Sequence, residues 1–179
     1  MDLLKAYRFR IYPTADQVAA FTRIAGCCRF VYNLGLEQRQ TFARRGRPIR
    51  YVDQQNELPA LKAELPWLKE APSHCLQMAL RHLDDAYARF FQGHARYPRP
   101  RRKFRHDSVA FPDPAQIQLD PARGRLVLPK FGKTGRDNGA IRVRCHRRIK
   151  GRICRVTIAR EGVHWVASVQ VRIRRRAAP

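Results

Sequence analysis

The hydrophobic period of this chain changes once, and that change limits the folds open to it. Up to about residue 95, apolar residues recur at helical spacing; beyond it they alternate. The switch falls at "ARYPRPRRKFRHD", a connector rich in Pro and Arg. One segment breaks this order. "KAYRFRIYPTADQ", Lys5 to Gln17, opens as a strand with Arg8 and Arg10 on one face and Tyr7, Phe9 and Ile11 on the other. At Pro13 it gives way to a helix start. A lone strand over residues 5–11 is not stable by itself, and the nearest sheet-forming sequence lies beyond the connector. The first strand is therefore predicted to join that sheet, with the intervening helices as an insertion.

The helices are bounded by recognisable signals. Thr14 to Gln17 reads T-x-x-Q, a capping box that satisfies two orphan amides, and Asp16 suits the helix dipole. Val18, Phe21, Ala25, Cys28 and Tyr32 then follow helical spacing to about Arg44, with Gly26 as a candidate kink. A shorter helix is predicted from Asp53 to Leu65, disturbed by Pro59. A third runs from Ser73, its expected N-cap, to Phe91, with Leu76, Leu80, Leu83, Tyr87 and Phe90 on one face and Gly93 closing it. Past the connector, "SVAF", "IQLD", "RLVLPKF", "AIRVRCHR", "RICRVTIARE" and "HWVASVQVRIR" read as short strands of a small barrel or sandwich. The predicted class is α+β: residues 1–13 as the first barrel strand, 14–95 as an inserted helical unit, and 96–179 as basic connector and remaining barrel.

Charge selects the partner. The 179 residues carry a formal net charge of +23, and 44% are hydrophobic, so this is not a disordered basic tail. Residues 1–95 hold 14 Lys+Arg against 9 Asp+Glu; residues 96–179 hold 23 against 5. Such an excess repels itself unless a polyanion screens it. Nucleic acid is the leading partner class. An anionic membrane surface is weaker, because no run approaches the roughly 18 apolar residues of a spanning helix and no basic amphipathic helix stands out. No apolar signal segment opens the chain, and five cysteines with no C-x-x-C fit a cytosolic protein. A barrel with a cationic face and interleaved aromatics suits RNA or single strands, and arginine both chelates phosphate and stacks on bases. The expected contacts are Arg8, Arg10, Arg101, Arg102, Lys103, Arg105, Arg142, Arg144, Arg147 and Arg148.

Catalysis lacks its residues. Metal-assisted phosphodiester cleavage needs converging carboxylates, whereas Asp84 and Asp85 diverge from one helix and Asp113, Asp120 and Asp137 fall in apparent turns. Cys145, His146, Cys154 and His164 could be imagined as a zinc set, but zinc ligands usually come in short-spaced pairs; two strand thiols and two polar histidines are the simpler account. No G-x-x-x-x-G-K, H-E-x-x-H or G-x-S-x-G occurs. No cofactor is expected.

Several of these segments carry a family resemblance. "YRFRIYPTADQ", "GCCRFVYNLGLEQRQ", "PWLKEAPSHCLQMALRHLDDAYARFFQG" and "YPRPRRKFR", then "LPKFG" and "IRVRCHRRIKGRICRVTIAREGVHWVASVQV", resemble in order the N-terminal half of TnpB, the OrfB-type proteins of insertion sequences related to type V CRISPR effectors. The Gly26–Arg29–Asn33 pattern and the Leu76–Gln77–Leu80 helix with Phe90 and Phe91 are its strongest parts. The resemblance implies a wedge barrel of oligonucleotide-binding-like kind interrupted by a helical recognition insert. It also implies a guide RNA and recognition of double-stranded DNA beside the target. It adds Arg29 and Asn33 to the contacts, and it sets Tyr51, Gln55, Ser73, His74 and Gln77 where the insert would approach that duplex; helix-borne Gln and His can read base edges. The family's RuvC-like acids and C-x-x-C ribbon are expected after the point where "VQVRIRRRAAP" stops, so the resemblance implies binding without cutting. The reading that follows is a truncated mobile-element protein. Two alternatives stand beside it: a subunit of a split RNA-guided endonuclease, and a free-standing basic regulator.

Overall fold

A computed structural model describes residues 2–103, 105, 107–131 and 139–174. Asp137, named above, lies outside the described residues, as do Gly132 of "LPKFG" and the last five residues of "VQVRIRRRAAP". The protein is mixed α and β: a curled seven-stranded half-barrel sheet and three helices. Its elements are β1 (Asp2–Tyr12), α1 (Ala15–Arg44), α2 (Tyr51–Glu64), α3 (Ser73–Phe91), β2 (Ser108–Phe111), β3 (Gln118–Asp120), β4 (Arg125–Val127), β5 (Ile141–Arg144), β6 (Arg152–Glu161) and β7 (His164–Arg174). Contacts divide the chain into two units, residues 1–22 with 106–179 and residues 23–105, so the division falls inside α1 and at the end of the connector. No described helix is long and apolar enough to cross a membrane.

The first unit is the sheet, with strand order β2-β6-β7-β1-β5-β4-β3 and every pairing antiparallel. β1 lies between β7 and β5: Phe9 faces Ala167 across one ladder, and Ile11 faces Val143 across the other. Alternation decides which side is core. Tyr7, Phe9 and Ile11 are buried with Ile141, Val143, Val156, Ile158, Ala167, Val169 and Val171, all on one face. Phe21, from the first turns of α1, closes over that face; its ring centroid lies 4.2 Å from Phe131 and 5.4 Å from Trp165. The capping box forms as its sequence predicts. Thr14 N–H donates to Gln17 Oε1 at 3.0 Å, and Gln17 N–H donates to Thr14 Oγ1 at 3.3 Å.

The second unit packs the rest of α1 on α2 and α3. Leu76, Leu80, Leu83 and Tyr87 are buried as α3's spacing predicts, and Phe90 is half-buried. Truncating one of these, such as Leu83, typically costs about 2–5 kcal/mol. α3 ends in a Schellman motif: His94 N–H donates to Arg89 O at 2.8 Å, and Gly93 N–H donates to Phe90 O at 2.9 Å. Ser73 does not cap the helix. Pro72 occupies the cap position, and Ser73 is the first helical residue, its hydroxyl accepting a 2.6 Å hydrogen bond from Lys62 Nζ. α2 starts at Tyr51 rather than Asp53, because Asp53 reaches back to take the Arg50 N–H at 2.9 Å and makes Tyr51 the first turn.

This unit also buries polarity. Arg39 and Gln54 are 8% and 3% exposed. Arg39 Nε donates to Gln54 Oε1 at 2.9 Å, and Gln54 Nε2 donates to Gly35 O at 2.9 Å and Gln38 Oε1 at 3.0 Å. The guanidinium then pairs with Asp84 Oδ1 at 2.9 Å and lies over the Tyr87 ring. Gly35 makes room for this. A Cβ there would sit 3.0 Å from both Gln54 Nε2 and Leu80 Cδ2.

Three thiols share the same core. Burial, reinforced by neighbouring Cys27, pushes Cys28 from an ordinary value near 9.0 up to about 12; burial also raises Cys75. In the unfolded chain these thiols ionise near 9, while the folded chain keeps their protons. Stability is therefore unaffected below pH 9 and falls as pH rises through 9 toward 12, by about 1.4 kcal/mol per pH unit for each thiol. Tyr87, raised by burial and by its bond to Tyr97, acts in the same direction. Urea midpoints at pH 8 and at about pH 10.5 are expected to fall steeply for the native chain and less so for Cys28→Val; equal slopes for the two would contradict the assignment.

Candidate nucleic-acid interface

The outward face of the sheet is made by residues that alternate with the core. Register sets Arg10 directly opposite Arg144, Arg125 opposite Arg142, and Arg152 opposite Arg172. Like charges directly opposed across an antiparallel pair destabilise it, and three such pairs share one face. Further arginines share this face: Arg8 opposite Ser168, Arg155 opposite Gln170, and Arg174 opposite Asp2. Tyr12 sits among them, 40% exposed, its ring 5.4 Å from the Arg10 guanidinium and 5.7 Å from that of Arg142. The face is partly neutralised from within. Arg8 pairs with Glu161, Arg10 bonds His164 Nδ1 at 2.7 Å, and Arg172 lies 3.8 Å from Asp2. Such surface pairs contribute little stability, and a phosphate can replace them. The arrangement is a curved cationic surface with an exposed ring, able to hold a phosphate backbone and stack a base.

Arg8, Arg10, Arg142 and Arg144 are thus brought together by one sheet, and Arg147 and Arg148 are exposed in the segment after β5. The signal for Arg125, Arg152, Arg155, Arg172 and Arg174 was also present, since they alternate with buried residues, but facing neighbours depend on register. The imagined zinc set does not assemble. Among the described residues no three His, Cys, Asp or Glu side chains stand where they could share a metal ion.

In the helical unit the expected contacts scatter. Arg29 and Asn33 line a cleft of about 360 Å³ on α1 with Gly26, Phe30, Leu34 and Glu37. Asn33 is already engaged. Its amide donates to Arg101 O at 3.0 Å, and its carbonyl accepts the Arg101 N–H at 2.8 Å. That clamp seats Arg101 over the Tyr32 ring at 4.0 Å, where burial lowers its pKa and nearby Tyr32 and Cys28 pull it back. Arg102, Lys103 and Arg105 are exposed on the connector. Tyr51 packs under Arg81, whose guanidinium lies 4.2 Å from its ring centroid. Gln55 and Gln77 are half-buried on α2 and α3, and Ser73 and His74 are exposed at the start of α3.

Known proteins match along most of this length. Residues 1–47 match the helix-turn-helix domain family HTH_OrfB_IS605; in this chain they form β1 and α1. A protein of Escherichia coli (strain K12), "Putative RNA-guided DNA endonuclease InsQ", is 33% identical over 95% of the chain. The chain thus carries an OrfB-type domain at its N-terminus and is homologous over most of its length to proteins of the InsQ/TnpB type. A Streptomyces pristinaespiralis relative, "Putative RNA-guided DNA endonuclease", is 38% identical over 70% of the chain. "Virulence protein VsdF" of Salmonella dublin is 30% identical over 56% of the chain and 95% of its own length. The chain spans 41% of InsQ and 32% of the Streptomyces protein.

Proposed function

We propose that this chain is the nucleic-acid-binding portion of a TnpB-like protein. In this reading the sheet acts as an oligonucleotide-binding-like wedge holding a guide-type RNA. The inserted helices approach double-stranded DNA beside the target through Tyr51, Gln55, His74 and Gln77, in the cytosol. The observation that carries it is the set of three directly opposed arginine pairs on one face of the sheet, two of them beside the exposed Tyr12 ring. A fold does not accumulate such repulsion by packing, and a phosphate backbone removes it. The names of InsQ and the Streptomyces relative supply the RNA-guided setting.

Binding in this reading is separate from cutting. Asp84 is held by Arg39, and Asp85 lines a cleft with His82 and Arg89. The purified chain is expected to bind structured RNA with an affinity that falls steeply in a log–log salt plot, by about 0.7–0.9 per phosphate contact. With magnesium or manganese and matched target DNA it is expected to leave the DNA intact. No RNA binding at low salt would sink the binding half. Cleavage that co-elutes with the chain and is lost in Asp84→Ala or Asp85→Ala would sink the other.

A further inference from the structure

From Ala86 to Arg105 the chain holds seven Lys and Arg and no Asp or Glu. Within this stretch, at the end of α3, four aromatic rings form a cluster. Tyr97 meets Tyr87 and Phe90 edge-on at 5.6 and 5.1 Å, and Phe91 lies 6.1 Å from Tyr87 and 5.3 Å from Phe90. The cluster is rigid on its inner side, where the Tyr87 and Tyr97 hydroxyls share a 2.9 Å hydrogen bond. It is open on its outer side: Phe91 is 77% exposed and Tyr97 41%. A large ring left in water at the end of an ordered helix, on a rigid aromatic base, is a surface awaiting a planar apolar partner.

Charge decides what that partner is. Arg96 and Arg99 flank Tyr97 in the chain and are exposed. Two acids lie close by in sequence: Asp84 is held by Arg39, and Asp85 lines a cleft of about 320 Å³ with His82, Ala86, Arg89, Ala95 and Arg96. The C-terminal end of a helix repels phosphate, so a bound polyanion has to be held by these side chains and by stacking. We propose that Phe91 and Tyr97 form a stacking site for unpaired nucleotides, with Arg96 and Arg99 on the adjoining phosphates. The proposal rests on the nucleic-acid reading above, and it assigns single strands, rather than duplex, to this part of the helical unit. Base stacking on one aromatic side chain is sequence-tolerant and is worth roughly 5- to 100-fold in affinity.

The test uses the full chain with oligonucleotides of about 12 nucleotides carrying one 2-aminopurine: a DNA strand, an RNA strand and a duplex. The native chain is expected to bind both single strands and quench the probe. Phe91→Ala is expected to weaken single-strand binding roughly 5- to 100-fold and abolish quenching, with duplex affinity unchanged, and Phe91→Trp to restore both. Because Phe91 is largely exposed, its removal leaves the core intact. A larger loss on the RNA or the DNA strand identifies which of the two the site serves. Equal single-strand binding by Phe91→Ala and the native chain overturns the proposal and returns the ring to protein–protein packing. Duplex binding without single-strand binding overturns this proposal alone; absence of binding to any probe overturns the broader reading with it.

Discussion

Arg144→Glu combined with Arg152→Glu is expected to weaken binding to structured RNA by at least roughly 100-fold while making the free protein more stable. Each substitution removes a charge-assisted phosphate contact, worth about 1.5–3 kcal/mol. Each also replaces a directly opposed arginine pair with an opposed Glu–Arg pair, against Arg10 and Arg172 respectively. Opposite charges at such positions stabilise by about 0.2–1 kcal/mol each, and the repulsion they replace disappears as well. The two signs together are diagnostic. A solvated face with no ligand predicts the stability gain without the binding loss, and a misfolded variant predicts both losses. Arg45→Glu combined with Arg47→Glu, which changes the net charge by the same amount just after α1, controls for net charge and is expected to cost far less. Affinity at two salt concentrations and a thermal melt without RNA are the measurements. Unchanged RNA affinity in the double variant would remove the sheet from the interface.

Gln54→Ala is expected to destabilise the helical unit by about 2–4 kcal/mol, whereas Gln55→Ala, one residue on, changes stability by less than about 0.5 kcal/mol. Gln54 satisfies the buried Arg39 Nε–H and returns two donor bonds to α1, so its loss leaves a guanidinium 8% exposed with part of its shell gone. Replacing both partners, Gln54→Leu with Arg39→Met, is expected to recover most of the loss, because an apolar pair leaves no unsatisfied donor there. Gln55 is half-buried on α2, and its expected effect is weaker binding to duplex DNA at unchanged stability. Urea denaturation followed by helical signal, with a DNA titration of each variant, separates the two residues. A Gln54→Ala cost below about 0.5 kcal/mol would refute the network's role.

These two adjacent glutamines show where sequence reading ends. Periodicity places both on a helix. Burial of one and partial exposure of the other follow from how α2 turns against α1, which Gly35 permits by its missing side chain. Local signals were legible because their causes are local. The capping box at Thr14, the glycine closure at Gly93, the buried stripe of α3 and the alternation of β7 each depend on a few neighbouring residues and were readable one by one. So was the composition that selects a polyanion. Ser73 misled because a serine before a helix normally caps it, and here a hydroxyl partner on Lys62 and the preceding Pro72 settle otherwise. The cationic residues of β1 and β5 could be listed from the sequence, but their facing partners could not. The place and register of β1 are fixed by contacts between residues well over 100 positions apart, such as Arg10 with Arg144, and a one-residue slip would turn every side chain over. Composition and local pattern therefore determined the elements and the cationic excess. Long-range pairing alone decided that Arg10 and Arg144 stand face to face beside Tyr12, and that Asn33 holds the Arg101 backbone.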